Sequence, residues 1–351
     1  MDTLTEDLFV VEILSRLPIK TLYSVRCVCN QWRSLYKFNI SDPKFVKLHK
    51  LRNPDNNHDS FIAHRFRSQC HKLSVINTNF CNRDPVNLTL PFPTSTKSNG
   101  FDVVGSCNGV LCLSYVRKKK PRNRLFLWNP ATGQLKDIPN YKIGIKLDNC
   151  DVSVGFGFDH ASSDYKVVRI VRYQSKGFPS DVTRVEVYSL KKNAWKEIDV
   201  DLKFTVVAES FCECVKGVFY WLTYDDYVPG LVSFNVQSEK FSPVSLPNDI
   251  GWLRKIFNLE ESLAIVKFHS PKTSILTLDD DKGTWKEMRT LKGDEEIEDI
   301  IGGLNTGKFV GKTVCGEVFL CDPLKNSVKT IQQLSNYKIR IHNYSPSLAI
   351  M

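Results

Sequence analysis

The sequence predicts an α+β multidomain chain: a small N-terminal module of three short helices, then an all-β domain built as a propeller, with six blades favoured and five or seven also compatible. Three observations lead there. Apolar residues recur at helical spacing over roughly the first 45 positions. Beyond about residue 60 that period gives way to short β-branched and aromatic runs bounded by Gly, Asn, Asp and Pro. A single hairpin pattern then repeats along the rest of the chain. The 351 residues suit a small module plus one larger domain, because single cores stop growing near about 250–300 residues. Hydrophobic residues at 42% and charged residues at 25% supply enough apolar surface for such a core.

In the helical part, Thr5 is a natural N-cap, and Glu6 and Asp7 occupy the first turn, where the helix dipole favours acids. Leu8, Val11, Ile13, Leu14 and Leu17 then form one amphipathic face. Pro18 ends this helix and suits the first position of a second, which carries Leu22 and Val25. A third helix is expected through Val28, Trp32, Leu35 and Tyr36. Ser41-Asp42-Pro43 caps a last turn with Phe45, Val46 and Leu48. Three helices this short leave more apolar positions than one inner face absorbs. The surplus at Leu8, Leu17-Pro18, Val25, Val28-Cys29 and Trp32 therefore reads as a ridge for a partner.

The string LTEDLFVVEILSRLPIKTLYSVRCVCNQWRSL resembles the F-box, through Leu4 with Glu6-Asp7-Leu8, Glu12-Ile13-Leu14, Arg16-Leu17-Pro18, Arg26-Cys27-Val28-Cys29 and Trp32-Arg33-Ser34-Leu35. It departs from the family pattern at Thr5, where the family usually has Pro. The resemblance implies that residues 1–45 bind a Skp-type adaptor and, through it, a cullin and a RING subunit. It assigns that contact to Leu4, Leu8, Ile13, Leu14, Leu17, Pro18, Leu22, Val25, Val28, Cys29 and Trp32. Residues 46–60 are expected to be a linker, and 61–351 the β-domain.

The repeat is visible in LFLWNPATGQLKDIP from Leu125, VEVYSLKKNAWKEID from Val185, LVSFNVQSEKFSPVSLP from Leu231, ILTLDDDKGTWKEM from Ile275 and VFLCDPLKNSVKTI from Val318. Each reads as a strand, a polar turn, one large residue and a second strand. The large residue falls at Leu135, Trp195, Phe241, Trp285 and Val328, with separations of 60, 46, 44 and 43 residues. A weaker copy lies at VNLTLP around Leu88. A period in the mid-forties holds four short strands, which is one propeller blade; a twisted sandwich is the alternative. Tyr337 to Ile341 alternates like a strand and is expected to complete the first blade. Turn signatures SCNGV, CVKGV and VCGEV precede several hairpins. With GSCNGVLCL, LFLWNPATG, VGFGFD and SDYKVVRI, this part resembles the F-box-associated, kelch-like domains of plant proteins, although the kelch Gly-Gly occurs once, at Gly302-Gly303.

Searching for catalytic signatures returns nothing. Nucleophile elbows, P-loops, HExxH motifs and dinucleotide fingerprints are absent, so neither an enzymatic role, a cofactor nor a metal site is expected. Asp279-Asp280-Asp281 falls on a hairpin turn. Trp128, Trp195 and Trp285 read as blade packing, whereas Trp221 and Trp252 fall off that register and are candidates for a substrate-binding surface. The net charge of +10 is scattered rather than interleaved with aromatic residues, which argues against nucleic acid and for an acidic protein partner. Arg117 to Arg124 reads as a charged loop, with a nuclear-import signal as the other reading. An acidic N-terminus, no run of about 20 apolar residues and 11 cysteines without a CxxC pair point to the cytosol or nucleus and to no membrane span. The expected role is substrate receptor of a Skp-cullin-F-box (SCF) ubiquitin ligase. An adaptor-bound scaffold and a carbohydrate-binding propeller are the alternatives.

Overall fold

The computed structural model describes residues 10–25, 27–30, 33, 43–53, 60–67, 70–80, 84–92, 99–117, 124–141, 150–174, 181–200, 205–206, 212–225, 228–248, 250, 255–269, 272–291, 297–325, 327–335 and 337–349. The five hairpins legible in the sequence are the two outer strands of five successive blades. Their register is the same in each. The pairs Trp128↔Leu135, Tyr188↔Trp195, Phe234↔Phe241, Leu278↔Trp285 and Cys321↔Val328 occupy equivalent positions. Trp195 and Trp285 each turn back to the preceding blade and donate the indole N–H to a carbonyl just past its outer strand, Pro139 and Ser245, at 2.7 Å. Leu135 and Val328 stand at the same position but are exposed, so this site packs only where the residue is aromatic.

Each blade is a four-stranded antiparallel sheet, written here from the axis outward. Blade 2 runs Asn99–Cys107, Val110–Arg117, Arg124–Asn129 and Gln134–Asp137; blade 3 runs Cys150–Asp159, Asp164–Gln174, Asp181–Ser189 and Ala194–Ile198. Blade 4 splits its inner edge between Thr205–Val206 and Glu213–Val215, then continues through Val218–Asp225, Val228–Asn235 and Lys240–Val244. Blade 5 comprises Ile256–Leu259, Ser262–His269, Lys272–Asp279 and Thr284–Leu291; blade 6 comprises Ile297–Gly303, Phe309–Thr313, Val318–Asp322 and Ser327–Thr330. Blade 1 is built from both ends of the domain. Its inner strand is Lys338–Asn343, paired to Ser60–Arg67, which pairs in turn with Cys70–Asn77, and that with Val86–Asn87. The expectation that the tail completes the first blade therefore holds, and six blades close the ring.

Inner strands neighbour one another in a closed circle about the axis. Apolar faces pack between blades, and six buried clusters fill the six seams. The second strand of blade 4 shows why such strands read as continuous apolar runs. Phe219 and Trp221 face blade 3, while Tyr220 and Leu222 face blade 5. One buried charge pair interrupts this packing: Arg169 and Glu186, cross-strand partners in blade 3, meet at 2.9 Å. The ring of Tyr141 lies 3.7 Å from the guanidinium.

In the N-terminal module, a 3₁₀ turn at Leu14–Arg16 is followed by helix α1 (Ile19–Val25), with Pro18 between them, and by helix α2 (Pro43–Arg52). Pro43 opens α2, consistent with a fixed φ at the first helical position. The helix continues to Arg52, so half of the segment expected to be a linker is helical. The third helix expected through Val28–Tyr36 lies for the most part outside the described residues. Side chains from the C-terminal half of α2 and from the residue after it hold the 3₁₀ turn. His49 Nε2 donates to the Leu17 carbonyl at 2.8 Å, Asn53 Nδ2 to the Ser15 carbonyl at 2.8 Å, and Arg52 to Ser15 Oγ and Glu12 at 3.0 Å.

Candidate functional site

Two surfaces follow from this architecture: the outside of the helical module and the propeller axis beneath it. The expected adaptor ridge divides. Leu14, Leu22 and Val25 are buried in the module's own core with Val10, Ile19 and Phe45, and Leu17 is half-buried against that core. Of Leu14, Leu22 and Val25, only Val25 was expected on the free ridge, and that expectation is corrected; the adaptor contact that the family resemblance assigns to Leu14 and Leu22 falls on buried side chains, because a distant segment supplies cover. Leu348, only 2% exposed, and Ala131 from a blade 2 turn pack onto the same cluster. Ile13 at 48% and Val28 at 65% remain exposed, with Pro18 and Cys29 also exposed. Leu4, Leu8 and Trp32 lie outside the described residues.

What seats the module is the tail after blade 1's inner strand. Asn129, the buried Asn of the LWNPATG motif, donates Nδ2 to the carbonyls of Ser347 and Ala349 at 3.0 Å. Its Oδ1 accepts the Ala131 N–H at 3.0 Å, closing the turn. Ser347 Oγ donates to the Asn108 carbonyl at 2.5 Å. Asn108 and Gly109 have φ of 49° and 76°, the left-handed pair of a two-residue hairpin. A Cβ on Gly109 would lie 2.6 Å from the Ser345 carbonyl oxygen, so the SCNGV signature needs glycine both for its turn and for the tail's close approach. All these anchors belong to turns between first and second or third and fourth strands. The module therefore covers that face of the ring. The strands flanking 118–123, 142–149, 175–180 and 292–296 end on the opposite face.

Trp221 is fully buried in the seam between blades 3 and 4, stacked on Phe219 with ring centroids 5.8 Å apart. Its assignment to a substrate surface is corrected: it fell off the hairpin register because it sits on a second strand, where both faces are covered. Gly155 of the VGFGFD motif makes the space, since a Cβ there would meet Trp221 Cζ2 at 2.8 Å and Cys212 Sγ at 2.7 Å. Trp252 lies outside the described residues. The Asp279 turn is a hairpin as expected, with Asp279 accepting from the Lys282 N–H and pairing with Lys286 at 2.6 Å.

Along the axis lies a cavity of about 770 Å³. Ile19, Val46, His49 and Asn53 of the module line it on one side, and the inner strands of all six blades and the tail supply the remaining walls. Its ionisable residues were not singled out by the sequence. Glu213 stands on blade 4's inner strand and Lys255 precedes blade 5's. Arg340 and His342 belong to blade 1's inner strand. Burial pushes the Glu213 carboxyl up to about 7, against the pull of Lys255. Burial likewise lowers the Lys255 ammonium, with Asp299 and Glu213 opposing. His342 falls to about 3 through burial and then the Arg340 and Lys255 charges, so it is neutral near pH 7. Arg340 is committed to Asp102, donating Nη1 to both carboxylate oxygens at 2.5 and 2.6 Å. Three thiols also line the cavity. Burial holds Cys214 up to about 12 and raises Cys107 and Cys212 as well, leaving none of them an activated nucleophile near neutral pH.

Comparison with known proteins agrees with both halves of this architecture. A family model described as the F-box associated beta propeller domain matches residues 60–332, and one for the F-box domain matches residues 7–35. The F-box protein At3g17480 of Arabidopsis thaliana is 30% identical over 295 residues, spanning 77% of this chain and 71% of that protein. A second from the same plant, F-box protein At1g47790, is 24% identical across 92% of this chain and 83% of its own length. The Arabidopsis thaliana F-box/kelch-repeat protein At3g23880 is 25% identical across 67% of this chain and 64% of that one.

Proposed function

Because this chain belongs to the plant F-box proteins that carry an F-box-associated β-propeller, we propose that it is the substrate-receiving subunit of an SCF ubiquitin ligase. The observation that carries this reading is the joining of an F-box, matched over residues 7–35, to a closed six-bladed propeller. The module holds a Skp-type adaptor, which brings a cullin and a RING subunit, and the propeller holds a protein to be ubiquitinated and degraded. The chain does no chemistry itself; it raises the effective concentration of a substrate lysine near the conjugating enzyme. The cysteine pattern supports a cytosolic or nuclear setting for this role.

Ile13, Pro18, Val28 and Cys29, apolar and exposed, suit the adaptor contact, together with the assigned Leu4, Leu8, Leu17 and Trp32. Leu14, Leu22 and Val25 support it from within by fixing the helices that present them. The blade ends facing away from the module suit the substrate, because a receptor must leave its two partners on separate faces. The basic surplus favours an acidic one.

Co-purification of the full chain with a recombinant plant Skp-type adaptor tests the reading. Val28→Asp and Ile13→Asp, on exposed positions, are expected to lower adaptor recovery about tenfold or more while leaving the melting temperature of the chain unchanged. Recovery equal to wild type in both variants would refute the assignment.

A further inference from the structure

The cavity on the axis holds a feature that neither adaptor docking nor substrate display requires. Lys255 Nζ donates to the Ile301 carbonyl, yet no carboxylate lies within 4 Å of it among the described residues. Of the other lining cations, Arg340 is neutralised by Asp102 and Lys216 by Asp280, and Lys191 donates to the Ser162 carbonyl. Three further lining residues carry buried polar atoms with no hydrogen-bond partner among the described residues: Ser106 Oγ, Asn258 Oδ1 and His342 Nε2. A buried ammonium with no carboxylate in contact, in a cavity whose lining also carries unmet hydrogen-bonding groups, is unfavourable in a folded core and suits a site that a polar molecule completes.

We propose that the axial cavity binds a small hydroxylated anion, a hydroxycarboxylate or a phosphate ester, whose oxyanion is held by Lys255. The match is chemical at each position. An oxyanion accepts from the Lys255 ammonium, and its oxygens can take the Ser106 hydroxyl proton and the N–H of the neutral His342 ring. A ligand hydroxyl supplies the donor that Asn258 Oδ1 lacks. A volume of about 770 Å³ falls within the usual range for small-molecule sites. Asp164, Glu213 and Glu261 line the cavity; Asp164 is paired with Lys166, and Glu213 favours its neutral form through burial, and so opposes an anion less than an ordinary carboxylate would. Because Ile19, Val46, His49 and Asn53 line the cavity, the ligand would sit under the helical module, in a place separate from the exposed adaptor residues.

The test uses the full chain in thermal melts with inorganic phosphate, citrate or chloride at matched ionic strength. Wild type is expected to show a saturable rise in melting temperature with phosphate, citrate or both, beyond chloride. Response to phosphate alone assigns a phosphate ester; response to citrate alone assigns a hydroxycarboxylate. Lys255→Met is expected to weaken the apparent affinity about tenfold or more, as loss of a charge-assisted bond should. Lys255→Arg keeps the charge and should keep the response, and Lys240→Met, on an outer strand, should match wild type. Melting of each variant in chloride verifies that it folds. Equal responses in wild type and Lys255→Met, or no wild-type response beyond chloride, would overturn the proposal. Adaptor recovery is measured in parallel, so failure here leaves the ligase reading standing.

Discussion

Glu213→Gln offers a quantitative check on the electrostatics of the axis. Glu213 belongs to the short inner strand Glu213–Val215, and burial raises its carboxyl from 4.5 to about 7. Below the lower value it is protonated in folded and unfolded chains alike. Between the two values the unfolded chain releases the proton and the folded one keeps it. The folded state then binds more protons, and stability falls as pH rises until the folded carboxyl ionises near 7. The difference, about 2.5 units, corresponds to about 3 kcal/mol at 1.36 kcal/mol per unit, and the side chain's opening onto the cavity reduces this to about 2 kcal/mol. Glutamine has the same shape and no ionisation. Urea unfolding from about pH 4 to about pH 8 should therefore show the two proteins converging in acid and Glu213→Gln more stable by about 2 kcal/mol at the alkaline end. A difference independent of pH, or one that grows towards acid, would refute the argument that burial governs this carboxyl.

How much of this was legible in the sequence varied with the range over which each feature is encoded. Helix boundaries at Pro18 and Pro43 and the turn at Asp279 are local, and local residues specify them. The propeller was legible because its outer hairpins repeat one register. The separation of 60 residues before Trp195 did not break the pattern, since the surplus lies within blade 3, whose strands Cys150–Asp159 and Asp164–Gln174 and segment 175–180 are longer than their counterparts in blade 5. The cover on Leu14, Leu22 and Val25 was not legible. Helical periodicity marks apolar faces but cannot tell which one meets Leu348, more than three hundred positions away. Trp221 misled for a related reason: on a strand buried on both faces, alternation carries no information about direction. The axial charges are single residues on or next to three different inner strands, with no spacing to betray them. Only ring closure brings Glu213, Lys255 and Arg340 to one cavity.

Three further perturbations probe the supports of the site. Glu186→Ala removes the carboxylate that faces the buried Arg169, and should cost about 3–5 kcal/mol in urea unfolding; a loss within about 1 kcal/mol would show that Tyr141 and neighbouring groups already satisfy the guanidinium. Gly109→Ala forces a side chain into a left-handed turn and against the Ser345 carbonyl. It should destabilise the chain by about 1–3 kcal/mol and speed proteolysis of the tail, with unchanged cleavage refuting the close approach. Leu348→Asp tests the seating of the module itself. The substitution places a carboxylate among the apolar side chains of Leu14, Ile19, Leu22 and Phe45, so the tail must leave the cluster. Hydrogen exchange in Pro43–Arg52 should then quicken while exchange in the blade 3 strands Asp164–Gln174 and Asp181–Ser189 stays slow, because six interblade seams hold the ring without the module. Unaltered protection of Pro43–Arg52 would mean that His49, Arg52 and Asn53 alone hold the helices together, and that the tail rests on the module without supporting it.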